Sequence, residues 1–127
     1  MPLRIADNIR DQLAAEAARA APRECCGLLL GHGDRIDSIA VSPNIHPAPE
    51  SHFEIDPQLL IDAHRAARSG GPQILGYYHS HPRGAPHPSA TDQALAHGDG
   101  MIWAIIARHA ITFWRDADGG FQPLHPA

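Results

Sequence analysis

The stretch that most limits the possible folds is Cys25-Cys26-Gly27-Leu28-Leu29-Leu30-Gly31, which carries no charged side chain. It is bounded by Pro22-Arg23-Glu24 before it and by the turn residues His32-Gly33-Asp34 after it, so it reads as a short strand. Its apolar residues run continuously instead of alternating, which is the pattern of a strand covered on both faces. A chain built around such a strand needs layers on either side of its sheet, and that points to an α/β or α+β domain.

The rest of the chain supplies those layers. Residues Asn8 to Ala21 read as an amphipathic helix, with Ile9, Leu13, Ala17 and Ala20 at helical spacing, Asp7 placed to cap it and Pro22 to stop it. Arg35 to Val41 is a second strand, and Phe53-Glu54-Ile55 a brief third. A second helix opens at Pro57 with Asp56 as cap, presents Leu60, Ile61, His64 and Ala67 on one face, and ends at Ser69-Gly70-Gly71-Pro72. Gln73 to His79 is a strand, Ser89 to about His97 a third helix, and Met101 to Arg108 and Ala110 to Arg115 two further strands around a turn at His109. Phe121 to His125 is a last short segment. No repeat, linker or low-complexity tract divides the sequence, so residues 1–127 are expected to form one domain: a mixed sheet flanked by about three helices.

Composition removes several classes of function. The formal net charge is −4, every basic side chain is an arginine, and no basic cluster occurs, which argues against nucleic-acid binding. The longest apolar run, Met101 to Ala107, is far too short to span a bilayer, and the residues from Met1 to Asp7 lack the features of a signal peptide. Cys25 and Cys26 are the only cysteines and are adjacent, a geometry in which an internal disulfide is strained, so a reducing, cytoplasmic compartment is expected.

Chemistry concentrates in Gly76-Tyr77-Tyr78-His79-Ser80-His81-Pro82 and in Ser89-Ala90-Thr91-Asp92. Alternation along a strand sets His79 and His81 on one face, where two neutral imidazoles suit a borderline-soft cation such as Zn²⁺. Asp92 can add a carboxylate oxygen after the Pro- and Gly-rich turn, leaving a fourth position for water, as in catalytic zinc sites. Ser89-x-x-Asp92 is equally the signature of a helix capping box, which needs no metal, and spacing leaves both readings open. Glu24 reads in isolation as a solvated turn residue; as a general base it would need its strand to lie beside that of His79. Cys25 and Cys26 read as core packing or as nucleophiles, with packing favoured on an apolar strand. His32, His46, His52, His64, His87, His97, His109 and His125 read as solvated, His87 being the one that lies between the candidate ligands.

Together, Glu24, His79-Ser80-His81-Pro82, the spacer 83–88 and Ser89-Ala90-Thr91-Asp92 resemble the JAMM (JAB/MPN) metalloprotease family. Pro22 to Gly31, Gly76-Tyr77-Tyr78, Asn44 and Phe53-x-Ile55-Asp56-Pro57 extend the likeness to the small prokaryotic members across nearly the whole chain. The resemblance implies a curved mixed sheet with helices packed on it, in a layering like that of cytidine deaminases. It also implies one Zn²⁺ held by His79, His81 and Asp92, Glu24 as general base, and Ser89 as a donor to the oxyanion. The substrate it implies is a ubiquitin-like sulfur-carrier protein, cut after its C-terminal Gly-Gly to release an added amino acid or a tail. A non-catalytic MPN-type scaffold and a cysteine hydrolase using Cys25 or Cys26 are the rival readings.

Overall fold

The computed structural model describes residues 2–126; Met1 and Ala127, the ends of the expected domain, lie outside the described residues. Strands β1 (Arg4–Ile5), β2 (Cys26–His32), β3 (Arg35–Ser42), β4 (Gln73–Ser80), β5 (Ile102–Ile106), β6 (Ile111–Ala117) and β7 (Gly120–Leu124) form one curved mixed sheet. Its order is β1-β3-β2-β4-β5-β6-β7. The β1–β3 and β4–β5 pairs are parallel and the others antiparallel. Helices α1 (Ile9–Ala20), α2 (Pro57–Arg68) and α3 (Ala90–Leu95) complete the expected α/β architecture. None of them is long and apolar enough to cross a membrane.

The continuous apolar run does occupy the middle of the sheet, as β2 between β3 and β4, and Cys26 to Leu29 are buried. Alternation then separates two environments. Cys25, Leu29, Tyr78, Ala104, Ile106 and Phe113 belong to the main core with Ile9 and Leu13 of α1. Cys26, His79 and Trp103 lie on the other face, where Phe53 packs on the His79 ring.

Local chemistry explains most boundaries and several departures from expectation. Asp56 caps α2 by accepting from the Gln58 N–H at 3.0 Å, and Pro57 occupies the first turn. The helix ends where Gly70 takes φ 91° and the Gly71 N–H donates to the Ala66 carbonyl at 2.8 Å. The residue at the start of α1 is Asn8, in a left-handed conformation and without a side-chain cap, so Asp7 does not cap this helix. Leu60 and Ala67 of α2 are half-buried, but Ile61 and His64 are exposed; the inner face runs through Leu60, Ala63 and Ala67 instead. Phe53-Glu54-Ile55 is no strand, because only Ile55 makes a bridge, to Asn44. Helix α3 stops at Leu95, where Asp116 accepts from the N–H groups of His97 and Gly98 and holds them in a loop. Strand β1 was too short to give a periodic signal.

The close approach of β2 and β4 depends on Gly27. A Cβ there would stand 2.6 Å from Cζ of the buried Tyr78 and would also meet the Ala40 carbonyl. Neither β3 nor β4 can withdraw without breaking its pairing with β2. Gly27→Ala is expected to lower stability by about 1–3 kcal/mol. The check is a lower urea midpoint at an unchanged m-value, and an unchanged midpoint would count against this packing.

Candidate metal and catalytic site

The site is assembled where β2 and β4 run out. Cys26 pairs with His79 across the antiparallel ladder. One step further the Ser80 N–H donates to the Cys25 carbonyl at 3.1 Å, and the Cys25 N–H donates to Ser80 Oγ at 2.8 Å. Continuing that register sets Glu24 beside His81, so the strand pairing that the sequence left open is present. β4 ends at Ser80, and Pro82, which has no N–H, follows the second histidine just past the strand.

His79, His81 and Asp92 converge, with their ligand atoms within 4.8 Å of one another. The two Nε2 atoms stand 3.1 Å apart, while Asp92 Oδ1 lies 3.0 Å from His79 Nε2 and Oδ2 lies 3.0 Å from His81 Nε2. His81 Nδ1 donates to the Ala85 carbonyl at 2.8 Å, which leaves its Nε2 lone pair facing the cluster. A lone pair, a second imidazole and a carboxylate aimed at one point repel unless a positive charge sits among them. In a tetrahedral zinc site with bonds of about 2.0–2.1 Å, ligand nitrogens stand roughly 3.3 Å apart. The donor set, its spacing and its tautomer therefore fit a zinc ion.

Burial sets the electrostatics. His79 is fully enclosed, and that enclosure lowers its pKa and keeps it neutral against the pull of Asp92. Burial, the largest single influence, disfavours His81 as a cation, but the bonds to Asp92 and the Ala85 carbonyl and the charges of Asp92 and Glu24 together outweigh it and raise its pKa. Burial opposes charge on Asp92 too, yet bonds from His79 and His81 hold its carboxyl well below the usual range. Glu24 is 7% exposed, and burial pushes it up to about 7, with His81 lowering and Asp92 raising it by smaller amounts.

Asp92 both completes the capping box of Ser89-x-x-Asp92 and faces the two histidines. Ser89 Oγ accepts from the Asp92 N–H at 3.0 Å and Asp92 Oδ2 accepts from the Ser89 N–H at 2.9 Å, a complete capping box. A carboxylate offers about four lone-pair sites, so capping α3 leaves others for the cluster. Because Ser89 Oγ receives the backbone bond as an acceptor, its own proton remains free to donate, and the residue is exposed.

Several supporting residues escaped the sequence reading. Phe53 stacks on His79 with ring centroids 4.3 Å apart and 17° between planes, and Trp103 meets the same imidazole edge-on at 5.6 Å. His79 Nδ1 has no hydrogen-bond partner among the described residues, so packing orients this ring. The turn after His81 is tied to β6, since Thr112 donates to the Pro86 carbonyl and Trp114 Nε1 donates to Thr112 Oγ1 at 2.9 Å. Phe53 was legible only within the Phe53-x-Ile55-Asp56-Pro57 likeness, which does not show the imidazole that it stacks on. His87 rests edge-on against Trp114, His46 stacks on His52, and His32 faces Asp37. A groove of about 720 Å³ along α1 reaches His81, and a cleft of about 310 Å³ between α1 and β3 reaches Glu24.

Comparison with known proteins follows the same lines. The family model for prokaryotic homologs of the JAB domain matches residues 6–117. A desampylase of Haloferax volcanii is 35% identical over 83% of this chain and 80% of its own. The CysO-cysteine peptidase of Mycobacterium tuberculosis is 26% identical over 88% of this chain and 81% of its own. A solution structure from Desulfitobacterium hafniense superposes with a TM-score of 0.85 at 27% identity, covering 98% of this chain and 91% of the other. A JAB1/MPN domain protein from Archaeoglobus fulgidus shares the fold, with a TM-score of 0.68 at 21% identity over 99% and 98% of the two chains.

The cysteines are free and buried, and burial pushes Cys25 up to about 11 and Cys26 up to about 12. Thiols this weakly acidic hold almost no thiolate at neutral pH. Iodoacetamide at pH 8 is expected to leave both unmodified in the native protein and to label both after denaturation, read by mass spectrometry. Rapid native labelling that abolished hydrolysis would revive the cysteine-nucleophile reading.

Proposed function

Since this chain belongs to the family of prokaryotic homologs of the JAB domain and is a JAMM-type peptidase, we propose that it is a zinc-dependent enzyme that cuts the bond following the C-terminal Gly-Gly of a ubiquitin-like sulfur-carrier protein. The observation that supports this reading is the Cys26–His79 register, whose continuation pairs Glu24 with His81, a member of the His79–His81–Asp92 cluster. The names of the two relatives, a desampylase and a CysO-cysteine peptidase, support a small protein or its conjugate as substrate. Two grooves that reach His81 and Glu24 suit an extended tail, and glycine lets a backbone run closest to a buried site.

His79 and His81 through Nε2, and Asp92 through its carboxylate, would hold the zinc ion. When bound there, zinc makes water acidic enough to ionise near pH 7 and polarises the scissile carbonyl. Glu24, raised to about 7 by burial, is poised to take the proton of the attacking water and pass it to the leaving nitrogen. Below that pH the carboxyl is protonated and cannot act as base. The Ser89 hydroxyl, fixed at the start of α3, donates to the oxyanion as the carbonyl carbon becomes tetrahedral.

Glu24→Gln is expected to keep about one zinc per chain while hydrolysis of a Gly-Gly-tailed carrier falls by about 10²–10⁴-fold. Turnover like that of the wild type would sink the assignment. His81→Ala is expected to lose both zinc, measured as metal per chain, and activity. Ser89→Ala, assayed at saturating zinc because the same hydroxyl caps α3, should lose about 10²–10³ in kcat with KM nearly unchanged.

A further inference from the structure

The placement of Glu24 depends on an anchor that neither the two histidines nor Ser89 and Asp92 supply. Among the described residues no side chain hydrogen-bonds to its carboxylate, although Glu24 is 7% exposed. The backbone that carries it is anchored instead: both polar groups of the Glu24 main chain are held by one loop. The Glu24 N–H donates to the Pro49 carbonyl at 2.7 Å, and the Glu24 carbonyl accepts from Asn44 Nδ2 at 3.0 Å.

Asn44 is the knot of that loop. Besides Glu24, its Nδ2 donates to the His52 carbonyl at 2.9 Å and approaches the Pro49 carbonyl at 3.4 Å. Its Oδ1 accepts from the Glu54 N–H at 3.0 Å and from the His46 N–H at 3.1 Å. Turn formation accounts for the bond from His46, which is the local pattern of an asparagine turn. It does not account for the bond to Glu24, which crosses to another segment of the chain. The same loop carries Phe53, stacked on His79. One carboxamide thus ties the segment that bears the acid to the segment that braces the imidazole.

We propose that Asn44 is a positioning residue for catalysis, holding Glu24 at the metal cluster through its main-chain carbonyl. The proposal rests on the reading of Glu24 as proton carrier given above. Misplacing a catalytic group by about 1 Å can cost roughly 10²-fold in rate, so a lost anchor should be visible in kcat.

The test uses the zinc-loaded chain and a Gly-Gly-tailed ubiquitin-like carrier joined to a fluorogenic amine. Asn44→Asp keeps the size and the acceptor oxygen but removes the donor to Glu24; Asn44→Ala serves as a second variant without a new charge. The expected result for both is a kcat lower by about 10–100-fold, KM within about twofold of wild type, and unchanged zinc per chain. Amide hydrogen exchange at Glu24 should also quicken at least about tenfold while Leu28 and Leu29 keep their protection. A kcat within about twofold of wild type in both variants overturns the proposal. So does a loss of kcat matched by loss of zinc or of protection at Leu28 and Leu29, which marks a merely structural role. Glu24→Gln is assayed alongside. Wild-type turnover by that variant overturns the underlying reading, and is recognised because it arises with Asn44 intact.

Discussion

The meeting of Glu24 with the histidine segment depends on the antiparallel pairing of β2 with β4 in the register that sets Cys26 against His79. Side chains alternate along a strand, so a slip of one residue would turn His79 and His81 to the α1 core and Tyr78 to the site. The register is held by features with no polar chemistry of their own. Gly27 admits the Tyr78 ring, and Leu29 and Tyr78 share one apolar core. At the open end Ser80 adds a side-chain bond to Cys25, just where the ladder would otherwise fray. The packing of the sheet is thus what brings Glu24, just before β2, alongside His81, just after β4.

The cluster itself is built from an electrostatic conflict. Acceptors converge, one imidazole is buried enough to be kept neutral, and the carboxylate is kept ionised. Such an arrangement is costly for a folded chain without a cation and favourable with one, as expected of a metal site. The orientation of the two histidines is secured by different means. His81 is fixed by a hydrogen bond to a loop carbonyl, whereas His79 is gripped between Phe53 and Trp103.

How much of this was readable beforehand follows from the range of the interactions. Periodicity and cap chemistry are local, so α2 from Pro57, the buried β2 and the shared face of His79 and His81 were legible in the sequence. The adjacency of Glu24 and His81 was not, because it arises from a pairing between residues more than fifty positions apart. The bond network of Asn44 reaches from residue 24 to residue 54 and gives no periodic signal. Ile61 shows the opposite failure: apolar by composition, it was assigned to the inner face of α2 yet is 46% exposed. Asp7 was a reasonable cap by residue type, but the chain enters α1 through Asn8 in a left-handed turn that places no side chain on the helix end.

The double duty of Asp92 has a thermodynamic consequence. Helix α3 spans only Ala90–Leu95, well below the length at which a helix holds itself together in water. Its first turn is secured by the same carboxylate that faces the two imidazoles. Ion occupancy and the local folding of this segment are therefore linked equilibria, each shifting the other by the same free energy. With an ion in the cluster, fraying of α3 would loosen its hold and filling of the cluster would tighten α3, so a segment on the rim of the site would report what sits at its centre.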